Sequence, residues 1–324
     1  MKNNMIKKAK NLLIELINTK SFSGQEQITG NLIESFLQEA QVAYKRQDNN
    51  IYAFNQYFDP EKPSILLNSH HDTVKPNSGY TRDPFSPDVE DGKLYGLGSN
   101  DAGGALVSLI HLFQHFYSRE DLKFNLVLAC TAEEEISGQN GIDMLLPSLP
   151  KKDMAIVGEP TSMNMALDEK GLMVLDCEAK GESGHAARDE GVNAIYRALQ
   201  DINRFKTYRF ERESEILGPI KMTTTLIESG TQHNVVPESC TYVVDVRTTD
   251  AYSNEETLKI IQEQIDSEVK ARSTRLNPSG IEPDHPLVIA GATLGLDTFG
   301  SPTLSDQALL DLPSVKLGPG DSRR

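Results

Sequence analysis

The 324-residue chain has no tryptophan and only three cysteines, Cys130, Cys177 and Cys240. Their number is odd and no two have Cys-x-x-Cys spacing, so a disulfide framework is excluded and a reducing compartment is expected. Positive charge is also scarce. There are 32 Lys and Arg against 47 Asp and Glu, a formal net charge of −15. That balance excludes nucleic-acid backbones and anionic membrane surfaces as partners. Long apolar runs are missing too: none approaches the roughly 20 residues that span a bilayer. The start, Met1 to Lys8, leads into an amphipathic pattern and has no signal-peptide apolar core. The cytoplasm is the expected location.

What is present is an ordinary globular composition, 38% hydrophobic and 24% charged. The length suggests two domains. Met5, Ile6, Ala9, Leu12, Leu13, Leu16 and Ile17 make one helical stripe. A second helix is expected to start near Ser23, where Ser23 and Glu26 have capping-box spacing. Three apolar runs, Ser64–Leu67, Phe124–Ala129 and Met154–Val157, read as buried strands, with a helix over about Ala102–Tyr117. Strands alternating with helices predict an α/β domain whose central sheet is largely parallel and flanked by helices.

The pattern changes after about Leu167. A half-exposed strand (Gly171–Lys180), a helix (Asn193–Phe205), two strands (Ile220–Ile227 and Cys240–Val246) and a helix (Glu255–Val269) predict a small inserted α+β domain. Its sheet is antiparallel, with a ferredoxin-like arrangement. The expected division is 1–167 with 280–324 for the larger domain and 168–279 for the insert.

Each predicted strand of the larger domain ends in groups able to bind a metal. These are His70-His71-Asp72, Glu133-Glu134-Glu135, and Glu159 in Gly158-Glu159-Pro160-Thr161; Asp101 precedes the intervening helix. Ligands of open α/β sheets bind outside the carboxyl ends of the strands, so four distant segments are expected to converge on one crevice. One imidazole among carboxylates suits a divalent ion, zinc foremost, with cobalt or manganese as substitutes. Two ions roughly 3.5–4 Å apart could share one bridging carboxylate. A carboxylate that does not bind metal could serve as general base on water, and that chemistry is hydrolysis.

Taken together, these segments resemble the co-catalytic zinc deacylases and exopeptidases, which include acetylornithine deacetylase, succinyl-diaminopimelate desuccinylase, aminoacylase and carboxypeptidase G. The resemblance extends over nearly the whole chain. It implies that His70, Asp101, Glu135 and Glu159 are metal ligands, that Asp72 orients His70, and that Glu134 is the general base. It also implies that the insert is a lid and dimerisation domain. There His185, in Gly184-His185, stabilises the oxyanion, and Asn234 and Arg247 bind substrate. The family's last ligand is a histidine shortly after a Gly-Pro loop. Here Leu317-Gly318-Pro319-Gly320 reaches that loop and the histidine is expected beyond Arg324.

Asp168-Glu169-Lys170-Gly171 and Gly184-His185-Ala186-Ala187-Arg188 are most similar to the acetylornithine deacetylase branch. The resemblance therefore implies zinc-dependent (or cobalt-supported) cleavage of a small N-acyl amino acid in arginine biosynthesis, by a homodimer. Desuccinylase and dipeptidase activities stay open, as does a catalytically silent binding homologue.

Overall fold

The computed structural model describes residues 2–322; Met1, Arg323 and Arg324 lie outside the described residues. Two compact units result. One comprises the chain up to Leu167, Ile281–Phe299 and the stretch from Ser305 on; the other comprises Asp168–Gly280 and Gly300–Leu304.

The first unit is built on a mixed sheet. Its strands lie in the order Tyr44–Gln47, Asn50–Phe54, Asn125–Thr131, Ser64–His70, Met154–Val157, Ser314–Lys316 and Met165–Glu169. The four central strands, from Asn125–Thr131 to Ser314–Lys316, run parallel, and the outer ones pair antiparallel. Central strands buried on both faces need apolar residues at nearly every position. Leu66, Leu67, Val127 and Leu128 meet that need and are fully buried. On one face the helices Lys2–Asn18, Gln27–Glu39 and Gly104–Phe116 supply Leu12, Ile33, Leu37, Ile110 and Phe113 to a common core with Leu67, Leu126 and Leu128. Side chains of this size each contribute about 1.5–3 kcal/mol when fully buried.

The second unit has a four-stranded antiparallel sheet in the order Lys221–Ser229, Ser239–Thr248, Gly171–Lys180, Glu268–Ala271. Alternation sets its faces. Met173, Leu175, Cys177 and Ala179 are buried with Ala194, Ala198 and Phe205 of the helix Ala194–Thr207, and Ile261 of the helix Asn254–Gln264. Asp176 and Lys180 point the other way and are exposed. The β-α-β-β-α-β order with this strand arrangement is ferredoxin-like.

Two sequence expectations need correction, and one pair of strands is new. The helix expected over Glu255–Val269 stops at Gln264, and Glu268–Ala271 forms the fourth strand. The cause is Asp201, whose buried carboxylate accepts the Asp266 and Ser267 N–H groups at 3.1 and 2.9 Å and holds them out of helical pairing. The outer strands Tyr44–Gln47 and Asn50–Phe54 were not anticipated. The capping box expected at Ser23 and Glu26 does not form: the helix begins at Gln27 with no side-chain cap. The three cysteines are free and buried. Among the described residues no helix is long and apolar enough to cross a membrane.

Candidate metal centre

His70 is the last residue of its strand and is 1% exposed. Its Nδ1 lies 3.1 Å from the Asp72 carbonyl oxygen and 3.3 Å from Asp72 Oδ1. That contact orients the ring and turns Nε2 toward three carboxylates. Asp101 Oδ1 is 3.3 Å away, Glu159 Oε1 3.7 Å and Glu134 Oε2 3.9 Å.

Local structure explains each placement. Glu159 follows the strand Met154–Val157 by one glycine. Asp101 sits in the turn Ser99–Gly103 that leads into the helix Gly104–Phe116. A side chain at Gly103 would meet the Gly98 carbonyl oxygen at 2.4 Å and Leu13 Cδ1 at 2.6 Å, so only glycine lets this turn close against the first helix. Glu133, at φ +55°, turns the chain after the strand Asn125–Thr131 and aims Glu134 back over the sheet end.

The electrostatics fit a cation. Burial drives the Glu134 carboxyl well above its ordinary value, and the charges of Glu159 and Asp306 add to the effect against the attraction of His70. Burial pushes Glu159 up to about 8 and Glu135 up to about 7. Burial disfavours protonation of His70, but the hydrogen bonds of Asp101 and Asp72 and the charges of Glu134 and Glu159 outweigh it and hold the imidazole well above its usual range. Burial also disfavours ionised Asp72. The bonds from His70 and Ser23 and the Glu134 N–H overcome this, so it stays below the usual carboxylate range. Protons thus fill a nest of crowded carboxylates that a dication could fill instead. Donor atoms of His70, Asp101 and Glu159 lie within 4.8 Å of one another. Two donors each about 2.0–2.1 Å from one tetrahedral ion stand roughly 3.3–3.4 Å apart. The His70–Asp101 separation of 3.3 Å matches, and Glu159 is a small side-chain adjustment away.

Of the other expected site residues, Glu135 stands outside this three-donor set among the described residues; its carboxylate takes a hydrogen bond from the Val74 backbone while feeling the charges of His70 and Asp101. In the second unit, His185 is exposed, and its Nδ1 accepts the Ala187 N–H at 3.1 Å. Gly184–His185 pairs with Val235–Val236, and the Ala186 N–H donates to the Asn234 carbonyl oxygen, so His185 and Asn234 are neighbours. Arg247 presents its fork to Asp245 through bonds of 2.9 and 3.0 Å on the same strand. A substrate carboxylate would have to compete with that pair.

Sequence reasoning missed two groups. Asp306, 4% exposed, accepts the Thr131 hydroxyl at 2.8 Å, and burial together with the Asp72 charge pushes it up to about 6. Lys316, 3% exposed, lowers the pKa values of Asp101 and Glu159 by its positive charge. Neither follows an apolar run that would have flagged a strand end.

Residues 167–273 match the peptidase dimerisation domain of the M20 family. The chain carries an M20 dimerisation domain. Over 221 residues it is 29% identical to an acetylornithine deacetylase of Myxococcus xanthus, covering 66% of this chain and 56% of that protein. Over 297 residues it is 24% identical to a succinyl-diaminopimelate desuccinylase of a Sulfurovum species, covering 86% and 79%. The chain spans just over half the length of the first curated relatives it matches. Aminopeptidase PepT of Bacillus cereus has a similar structure, with a TM-score of 0.78 at 17% identity over 96% of this chain and 90% of that one. A dinuclear metal-binding M20 peptidase of Bacillus subtilis gives 0.70 at 17% identity over 97% and 88%. The fold is therefore shared with these two peptidases, a largely parallel sheet with the matched dimerisation domain inserted in the sequence.

Proposed function

We propose that this chain is a metal-dependent amidohydrolase that removes the acyl group from a small N-acyl amino acid, N-acetylornithine or a close analogue. The observation that carries the reading is the face of His70 Nε2. It lies 3.3 Å from Asp101 and 3.7 Å from Glu159, with a further, largely buried carboxyl, Glu134, beside them at 3.9 Å. His70, Asp101 and Glu159 would hold one divalent ion, and Glu135 with Asp101 would serve a second. A bound ion would polarise the scissile carbonyl and acidify water, the chemistry such sites supply.

The chain's own groups do the rest. Asp72 keeps His70 in the tautomer whose Nε2 faces the donors. Glu134 takes a proton from the attacking water and returns it to the leaving amine; its raised pKa suits a group that must hold that proton in between. His185 and Asn234 are proposed contributors to the oxyanion and the substrate, with Arg247 available to a substrate carboxylate if Asp245 releases it.

The names of the relatives support the N-acyl amino acid class, and a place in arginine biosynthesis belongs to the same proposal. The dimerisation domain supports a homodimer, and the three free cysteines support a cytoplasmic location. The test is release of ornithine from N-acetylornithine by metal-stripped protein with and without zinc or cobalt, using N-succinyl-diaminopimelate and a dipeptide as comparators. Metal-dependent release of ornithine alone is the expected result. Hydrolysis confined to a comparator would move the substrate, and no hydrolysis of any would remove the reading.

A further inference from the structure

Ser23 and Glu26 have the spacing of a helix cap, yet neither side chain caps the helix. Both reach the catalytic end of the sheet instead. The Ser23 hydroxyl donates to Asp72 Oδ2 at 2.7 Å. Glu26, completely buried, uses Oε1 to accept the Gly24 N–H at 2.6 Å and the Glu133 N–H at 3.2 Å, while Oε2 accepts the Asn49 amide at 2.9 Å. The turn that presents Glu134 is held the same way along its length. The Ala132 N–H donates to Asn50 Oδ1 at 2.9 Å, and the Glu134 and Glu135 N–H groups donate to the two oxygens of Asp72 at 3.1 and 3.2 Å. Four consecutive backbone donors therefore end on buried side chains from three other segments. Glu133 sits at φ +55°, a conformation that a side-chain-bearing residue keeps only when its surroundings hold it there.

We infer that Glu26 and Ser23 are positioning residues: Glu26 fixes the turn that aims Glu134, and Ser23 fixes the aspartate that orients His70. This inference rests on the proposed role of Glu134 as general base. Burying a carboxylate at 0% exposure is costly unless donors surround it, and here every hydrogen-bond partner of the Glu26 carboxylate is an N–H donor. The group thus acts through acceptor geometry. An amide in its place keeps an oxygen for Gly24 and Glu133, and the Asn49 side chain can flip to meet the new NH2 at the expense of the long 3.4 Å bond its Oδ1 accepts from Arg46.

The experiment compares Glu26→Ala and Glu26→Gln with wild type in two readouts. The first is amide hydrogen exchange of the metal-free protein; the second is kcat and KM of the zinc-loaded protein on N-acetylornithine. The expected result for Glu26→Ala is faster exchange confined to residues 132–138, with kcat lowered about 100-fold at nearly constant KM, the effect of aiming a catalytic group about 1 Å off. Glu26→Gln is expected to stay close to wild type in both. Ser23→Ala should lower kcat less, because Asp72 keeps its backbone donors. Unchanged exchange at 132–138 in Glu26→Ala would overturn the inference. So would exchange raised uniformly over the first unit with Gln as damaging as Ala, since that marks a merely structural carboxylate. If wild type hydrolyses no acyl amino acid, the functional reading fails on its own, and the exchange comparison still decides whether Glu26 holds the turn.

Discussion

Replacing Glu134 by Gln removes a base while keeping shape and volume. In the structure its Oε2 lies 3.9 Å from His70 Nε2 and its side chain is 12% exposed. It is beside the donor set without belonging to the three groups within 4.8 Å. General-base catalysis contributes roughly 10²–10⁴ in rate. A fall in kcat of about 10³ is expected, equivalent to about 4 kcal/mol of transition-state stabilisation. Zinc should be retained. A unit charge about 4 Å from a divalent ion interacts by roughly 8 kcal/mol at an effective dielectric near 20. Most of that is not lost on substitution, because burial and the Glu159 and Asp306 charges already favour the protonated carboxyl in the metal-free protein. The assay is initial-rate ornithine release alongside calorimetric zinc titration. Turnover within tenfold of wild type would refute the assignment, and loss of zinc together with activity would make Glu134 a ligand.

Three further outcomes follow from the same geometry. His70→Ala should lower the zinc bound per chain after dialysis, read by elemental analysis, because it removes the one nitrogen donor of the set; full retention would contradict the site. Metal-free protein should lose stability as pH rises from about 5 to 8. Glu159 and Glu135 titrate near 8 and 7 when folded, mainly through burial, but near 4.3 when unfolded, so the stability they contribute is complete below the unfolded value and disappears through that window. A falling Tm that zinc largely restores is expected; a rising Tm for the metal-free form would oppose the argument. Phe113→Ala, at a fully buried position of the first core, should cost about 3–5 kcal/mol in denaturant unfolding without changing the exchange of the second unit's strands.

Much of the site was legible because buried parallel strands announce themselves twice. Their apolar runs are nearly unbroken, as in Leu126–Cys130, and the first polar residues after them mark the carboxyl end where ligands bind. His70, Glu134 and Glu159 were singled out that way, and the structure brings them together. Tyr44–Gln47 was not singled out, since its mixed polar residues carry no such run, and the short apolar run Ile51–Phe54 was overlooked beside it. The helix after Glu255 was overextended because Ile265 and Val269 keep helical spacing, while the group that ends the helix, Asp201, is distant in sequence.

Two of the Ser-x-x-Glu pairs make the same point. Ser253 and Glu256 form the capping box. Ser23 and Glu26, with identical spacing, are diverted to Asp72 and Glu133 by partners 49 and 107 residues away. Local spacing sets what a side chain can reach, and the tertiary neighbours decide which option is taken.

The most direct test of the metal centre is a crystal soaked in zinc and measured on both sides of the zinc absorption edge. An anomalous peak about 2.0–2.1 Å from His70 Nε2, with oxygens of Asp101 and Glu159 completing its near shell, is the predicted result. An ordered His70 with no peak beside it, or a zinc ion bound at other residues, would contradict it.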